Sequence, residues 1–300
     1  RVARPHLGLI LPNYGGGLDA ERLASAAVAA ERAGFDSGWV TDHVVVPPEH
    51  APIYGAIAEA LVSLGFLAGR TERLQLGVSA LVVPQRNPLV ALKQLTTLDF
   101  LSGGRIITAV AAGWMEGEFG LLAADFASRG RRLDDWVRTA KQAFEHMPGP
   151  VDLPSGEGWL APALVRPGGP ELWIAGVSRA TIRRAALTGV WHPVALPPDE
   201  LRSMASEFRD RRADGRVILR IGVYLQDEPE DGADERGRHA VTGPAEWIAE
   251  RLAEYLDAGC DGFVVNLDHE APGLEDRVRR FAEEVAPLLP ATPGSTRPRG

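Results

Sequence analysis

The chain is 300 residues long, 45% hydrophobic and 24% charged, with a formal net charge of −8 and a single cysteine, Cys260. That length suits one α/β barrel or two average domains, with a core large enough to need no staples. The negative balance argues against nucleic acid or an anionic membrane as partner, and one cysteine excludes an intrachain disulfide or a thiolate metal cluster. No apolar run reaches the ~20 residues of a membrane helix, and the N-terminus shows no signal-peptide core. A cytoplasmic protein is expected.

The first expected strand, residues 7–11, is broken by Pro12-Asn13-Tyr14-Gly15. Asp19 then caps a helix that Gly34 stops. A second strand, 37–42, ends in His43. The pattern predicts a helix over 55–69 and a third strand over 74–83. Asn87-Pro88 opens the next helix with a cap and a proline at the first position, and Ser102-Gly103-Gly104 ends it before a fourth strand at 105–112. Residues 131–146 read as helix. Residues 148–169, rich in proline and glycine, form a long excursion.

The fifth strand is 172–176, with a helix over 178–188. A thin sixth strand, 190–194, precedes a helix at 198–213. The seventh and eighth strands are 217–224 and 261–266, with helices opening near Pro244 and Gly273. Apolar strands alternating with helices mean a parallel sheet covered by helices. Eight such units favour a closed (β/α)8 TIM barrel over an open doubly wound sheet, with insertions after strands two and four and before strand five. Residues 1–290 are expected to form one domain, and 291–300 a disordered tail.

In such a barrel the chemistry lies on the loops that follow the strands. His43 is the sharpest candidate, suited to proton transfer, although a hydrogen-bonded histidine closing the barrel top fits the same position. Gly176-Val177-Ser178 stands where a strand turns into a helix. It reads either as a phosphate cradle or as an ordinary serine cap, with Arg179, Arg183 and Arg184 either gathering an anion or forming a solvated face. Arg129, Arg131 and Arg132 start a helix, where cations are disfavoured. They either contact an anion or pair with Asp134 and Asp135. The histidines show no metal-binding spacing, and no nucleophile elbow, P-loop or dinucleotide fingerprint occurs in a suitable context.

Several long motifs occur in order: Ala33-Gly34-Phe35-Asp36-Ser37-Gly38-Trp39-Val40-Thr41-Asp42-His43, Val83-Pro84-Gln85-Arg86-Asn87-Pro88, Leu101-Ser102-Gly103-Gly104-Arg105, and Gly113-Trp114 with Glu118-Phe119. Together they resemble the bacterial-luciferase-like superfamily of flavin- and deazaflavin-dependent oxidoreductases, over roughly residues 7–290, and most of all its F420-dependent branch. The resemblance implies an enzyme that passes hydride between coenzyme F420 and a small organic substrate.

His43 would act beside the cofactor ring, with Asp42 as its organiser. The resemblance puts a non-proline cis peptide at Ser79-Ala80, forming a bulge behind the ring. It assigns Asn13, Gly113 and Trp114 to the cofactor as well, with Ala175, Gly176, Val177, Ser178 and Arg179 as the phosphate turn. Tyr14 and Trp191 would line the substrate pocket. The turn departs from the family's usual Gly-Gly-Asn/Ser-Ser, and Gly189-Val190-Trp191 lacks an acid found there in relatives. The loop after His43 is also short. A two-component FMN-dependent monooxygenase served by a partner reductase is the alternative enzyme, and a non-catalytic flavin-binding protein the alternative outside catalysis. The resemblance also implies a homodimer.

Overall fold

The computed structural model describes residues 4–153, 156–233 and 238–291. In chain order these form β1 (His6–Ile10), α1 (Ala20–Arg32), β2 (Ser37–Val40), α2 (Ala51–Tyr54), α3 (Ala60–Ala68), β3 (Gln75–Val82), α4 (Pro88–Ser102) and β4 (Ile106–Ala111). There follow α5 (Glu116–Leu121), α6 (Arg129–His146), β5 (Gly149–Leu153), β6 (Gly156–Leu160), β7 (Glu171–Ala175), α7 (Arg179–Thr188), β8 (Val190–His192) and α8 (Pro198–Arg211). The last elements are β9 (Arg216–Leu225), β10 (Glu230–Ala233), β11 (His239–Gly243), α9 (Ala245–Asp257), β12 (Gly262–Asn266) and α10 (Leu274–Arg280). The expectation for 292–300 lies outside the described residues.

The sheet runs in the order β10-β11-β9-β12-β1-β2-β3-β4-β7-β8, and β8 pairs back onto β9. The eight expected strands are therefore β1, β2, β3, β4, β7, β8, β9 and β12, and their pairings close into the expected barrel. The other strands are additions. The excursion before the fifth strand folds into the antiparallel hairpin β5–β6. A further insertion, not foreseen, follows the seventh strand: β10 pairs antiparallel with β11, which runs parallel to β9.

By contacts the chain divides into two compact units, one with the described residues of 1–11, 25–39 and 173–300, the other with those of 12–24 and 40–172. The core of the first unit explains part of the sequence. Trp39 and Trp173 are fully buried, with ring centroids 4.6 Å apart, and His192 stacks on Trp39 at 5.6 Å. The Trp39 indole N–H donates to Ser37 Oγ at 2.7 Å, and His6 Nε2 meets the same hydroxyl at 2.8 Å. Gly8 leaves the room for this: a Cβ there would lie 2.6 Å from Trp39 Nε1. Burial draws the His192 pKa down to about 3, against the opposing hydrogen bond to the Ile218 carbonyl, so the ring is neutral and serves packing.

In the second unit α4 begins as its sequence demands. Asn87 Oδ1 accepts from the N–H groups of Leu89 and Val90, Pro88 takes the first helical position, and Gly103 ends the helix at φ +69°. The helix expected over 55–69 starts only at Ala60, where the Glu59 carboxylate caps the Val62 N–H. Among the described residues, no helix is long and apolar enough to cross a membrane.

Candidate active site

Strand β2 ends at Val40, so Thr41-Asp42-His43 lies beyond the regular ladder. Its backbone hydrogen bonds must go elsewhere, and the Asn13 side chain supplies them. Asn13 Oδ1 accepts from the Thr41 N–H at 2.8 Å, and its Nδ2 donates to the Thr41 carbonyl at 2.8 Å and to that of Ala58 at 3.1 Å. The carboxamide thus acts as a neighbouring strand's peptide would. It is fully buried and committed to the backbone, which corrects the expectation that it touches a cofactor.

Asp42 is equally committed. Its carboxylate meets Arg86 in a two-pronged pair, at 2.6 and 2.8 Å, and accepts the Val82 N–H at 2.9 Å. Burial raises the Asp42 pKa above the ordinary carboxylate value, with Arg86's charge and hydrogen bonds opposing the shift. Asp42 therefore anchors the segment to the end of β3, and its direct partners are Arg86 and the Val82 N–H.

The group that holds His43 is Glu118, on α5. His43 Nδ1 lies 2.7 Å from Glu118 Oε2, while Oε1 accepts the Val44 N–H at 2.7 Å and, more weakly, that of Val45 at 3.4 Å. Burial acts to raise the Glu118 pKa, but hydrogen bonds from His43, the Val44 N–H and Gln85, with His43's charge, prevail and lower it. An ionised carboxylate only accepts, so Nδ1 carries the proton that faces it. In neutral His43 this leaves Nε2 as a proton acceptor, and in the imidazolium Nε2 becomes a donor.

A folded-state pKa below the unfolded one stabilises the fold above the ordinary carboxylate value, and the gain fades as pH falls through the acid range. The native protein is therefore expected to melt above a Glu118→Gln variant at neutral pH, with the gap closing on acidification. Thermal melts across pH check this, and a gap independent of pH would refute it.

Aromatic side chains surround the pair. Tyr54 lies 4.4 Å from His43 between ring centroids, and Trp114 meets His43 edge-on at 6.2 Å and His50 at 5.3 Å. Trp114 is 59% exposed, and Val44 and Val45 beside it are also exposed, so this unit presents an apolar surface next to His43. Tyr14, expected on the pocket wall, is buried against Tyr54 and bridged through its backbone to Ile57.

The expected cis peptide at Ser79-Ala80 is present, and the β3–β4 register shifts there in a bulge. Gly113 has φ +88°, and a Cβ would lie 2.6 Å from Val82 Cγ1 and 2.8 Å from Phe119 Cε2. Gly113→Ala is accordingly expected to cost roughly 1–3 kcal/mol, read as a fall in melting temperature. Of the arginine run, Arg129 lies over the Phe126 ring at 3.7 Å and donates to the Gly113 carbonyl at 3.2 Å. That arginine supports the loop.

In the other unit, Ala175 ends β7 and Gly176 turns at φ +127°. Ser178 caps α7: its Oγ accepts the Thr181 N–H at 3.2 Å and shares a hydrogen bond with Thr181 Oγ1 at 2.9 Å. Val177, Ser178 and Arg179 are exposed at this helix start. Trp191 is 0% exposed, packs against Phe208 and donates from its indole to the Gly176 carbonyl at 2.8 Å. It buttresses the turn from within the core, which corrects its expected place on the pocket wall.

A family model described as luciferase-like monooxygenase matches residues 9–241. The chain belongs to that family. The F420-dependent glucose-6-phosphate dehydrogenase of Kineococcus radiotolerans is 38% identical over 126 residues, 41% of this chain and 36% of its own. The alkanal monooxygenase alpha chain of the Kryptophanaron alfredi symbiont is 27% identical over 116 residues, 39% of this chain and 31% of its own. The matches thus span about a third of these relatives' length. The crystal structure of monooxygenase RslO1 from Streptomyces bottropensis superposes with a TM-score of 0.77 at 17% identity, covering 94% of this chain and 98% of the other, and it shows the luciferase-like barrel fold.

Sequence reasoning missed the site roles of Glu118, Gln85 and Arg86. All three stand in motifs that carried the resemblance, but nothing local to those motifs named their partners.

Proposed function

We propose that this luciferase-like protein is an oxidoreductase that passes hydride between coenzyme F420 and a small organic substrate. The observation that carries this reading is His43, buried yet beside the exposed Trp114, with its Nδ1 fixed by an ionised Glu118. A ring held this way presents Nε2 for one proton, the complement of a hydride. The local match to an F420-dependent dehydrogenase supports the deazaflavin.

The residues present suit the group. Bulged backbone at Ser79-Ala80 and the Gly113-Trp114 turn offer a platform for a flat ring. Taken by itself, the other unit has an exposed start to the ten-residue α7, where N–H groups and Arg179 suit an anion. The coenzyme, when bound, supplies the hydride-carrying ring. His43 then holds or releases the accompanying proton at Nε2, Glu118 keeps it in the tautomer that can do so, and Trp114, Val44 and Val45 shield the face from water.

The likeness to an alkanal monooxygenase favours a second reading, oxygen activation at reduced FMN delivered by a reductase. Fluorescence titration of the purified protein with F420 and with FMN decides. Saturable F420 binding, retained in His43→Ala while hydride transfer is lost, is the expected result. Tight binding of reduced FMN, with substrate-dependent oxygen uptake and no response to F420, would overturn it. Unchanged turnover in His43→Ala would remove the catalytic role altogether.

A further inference from the structure

At the carboxyl ends of β9 and β12, the first unit forms a half-open cavity of about 470 Å³. That volume suits a small molecule, and this end of barrel strands is where function collects. The inserted strands β10 and β11 form one wall, through Glu230 and Thr242, and the ends of β9 and β12 form the floor, through Tyr224, Gln226 and Asn266. Gly222 makes space for the floor, since a Cβ there would lie 2.8 Å from the Tyr224 hydroxyl.

The loop after β12 is built to hold its shape. Arg277 donates to four carbonyls: Leu267 at 2.6 Å, Asp268 at 2.6 Å, Pro272 at 2.7 Å and Ala271 at 3.0 Å. Asp268 is fixed at φ +56°, a conformation few side chains adopt. Asn266 Oδ1 takes both the N–H of His269 at 3.2 Å and its Nδ1 at 2.8 Å. A loop secured at this many points presents its side chains pre-organised.

The chemistry of the wall selects among ligands. Glu230, Asp268 and Glu270 face the cavity with Arg238 and Arg277, and Arg277's donors are directed to the loop's own carbonyls. Carboxylates only accept hydrogen bonds, so they hold a ligand that offers O–H groups and repel one that brings more negative charge. The two guanidiniums oppose a cation. The Tyr224 and Thr242 hydroxyls can donate and accept; Asn266, its Oδ1 taken by His269, brings an amide donor, and Gln226, its Nε2 given to the Glu228 carbonyl at 3.1 Å, brings an acceptor oxygen, so the set matches a hydroxyl group's own dual capacity. We propose that this cavity binds a small, neutral, hydroxyl-rich compound of the sugar or cyclitol class, and that it rejects the corresponding phosphate ester. The proposal stands on this cavity and is independent of the cofactor.

The test is ligand-observed NMR and calorimetry on the purified full chain without added cofactor, using D-glucose, myo-inositol and D-glucose 6-phosphate. At least one neutral probe is expected to bind, with glucose 6-phosphate weaker by about tenfold or more. The Glu230→Gln, Asp268→Asn double variant keeps the side-chain shapes, and asparagine tolerates the left-handed position. It should weaken the neutral probe about fivefold or more, close the gap to the phosphate ester, and leave the melting temperature unchanged. Absence of binding by both neutral probes, tighter binding of the phosphate ester, or unchanged affinities in a folded double variant would each overturn the proposal.

Discussion

Replacing Arg86 by methionine is expected to lower the melting temperature by roughly 6–15 °C, the largest stability effect of any single polar substitution near the site. The Asp42 carboxylate is wholly buried, and its negative charge is matched by the two-pronged Arg86 pair, with one further hydrogen bond from the Val82 N–H. Removing one partner of a buried ion pair costs about 3–5 kcal/mol, because the other charge is left without compensation. Burial already raises the Asp42 pKa, and losing Arg86's opposing influence raises it further. A folded-state pKa above the unfolded one means that the folded form binds the extra proton, so the variant regains stability as pH falls. Its deficit should therefore be greatest at neutral to alkaline pH and shrink toward acid. The Asp42→Asn, Arg86→Met double variant should recover a substantial part of the loss, since no fully buried charge is left unpaired and Glu59, which also meets Arg86 at 3.4 Å, is partly exposed to water. Melts of the native, single and double variants across pH supply the measurement. A single variant melting within a degree or two of native, or a deficit that grows on acidification, would show that the pair does not anchor the loop.

How far this arrangement was legible in the sequence depends on the reach of each interaction. The eight barrel strands announced themselves through short apolar runs bounded by glycine and proline, and α4 through its Asn87-Pro88 start and Gly103 stop. The hairpin β5–β6 was visible only as an irregular excursion, because Pro150 and three glycines mask a strand that packs little of its surface. Strands β10 and β11 offered no long apolar run and went unseen. Helix α3 began late because the signal at Glu59 is a carboxylate that caps well only once the chain has turned there.

The site followed the same logic. His43 could be found from its place at a strand end, but its partner lies 75 residues away and Asp42's lies 44 away. Adjacency in sequence suggested that Asp42 serves His43, whereas the backbone turns the two side chains to different partners. Trp191 failed for a related reason. The strand expected over 190–194 is regular only over Val190–His192, too short for its parity to place Trp191, and the packing of His192 onto Trp39 shows that the neighbouring indole turns the other way, toward Phe208.

The second large effect concerns the His43–Glu118 pair. If His43 Nε2 exchanges the proton that accompanies hydride transfer, His43→Ala should lower kcat by roughly 10²–10⁴-fold with little change in cofactor binding. Glu118→Gln preserves size and burial but removes the charge that fixes the tautomer and stabilises the imidazolium, and its amide can offer Nδ1 an N–H in place of an acceptor. It is therefore expected to lower kcat by about 10²-fold while the cofactor still binds. Because Glu118 would act through His43, the His43→Ala, Glu118→Gln double variant should be no slower than His43→Ala alone. Glu118 also receives the Val44 N–H, so a merely structural role predicts another pattern: losses that multiply in the double variant and track loss of folded protein. Single-turnover hydride transfer, measured on variants shown to be folded, separates the two. Native-like turnover in Glu118→Gln, or multiplying losses, would leave His43 without the partner that the geometry gives it.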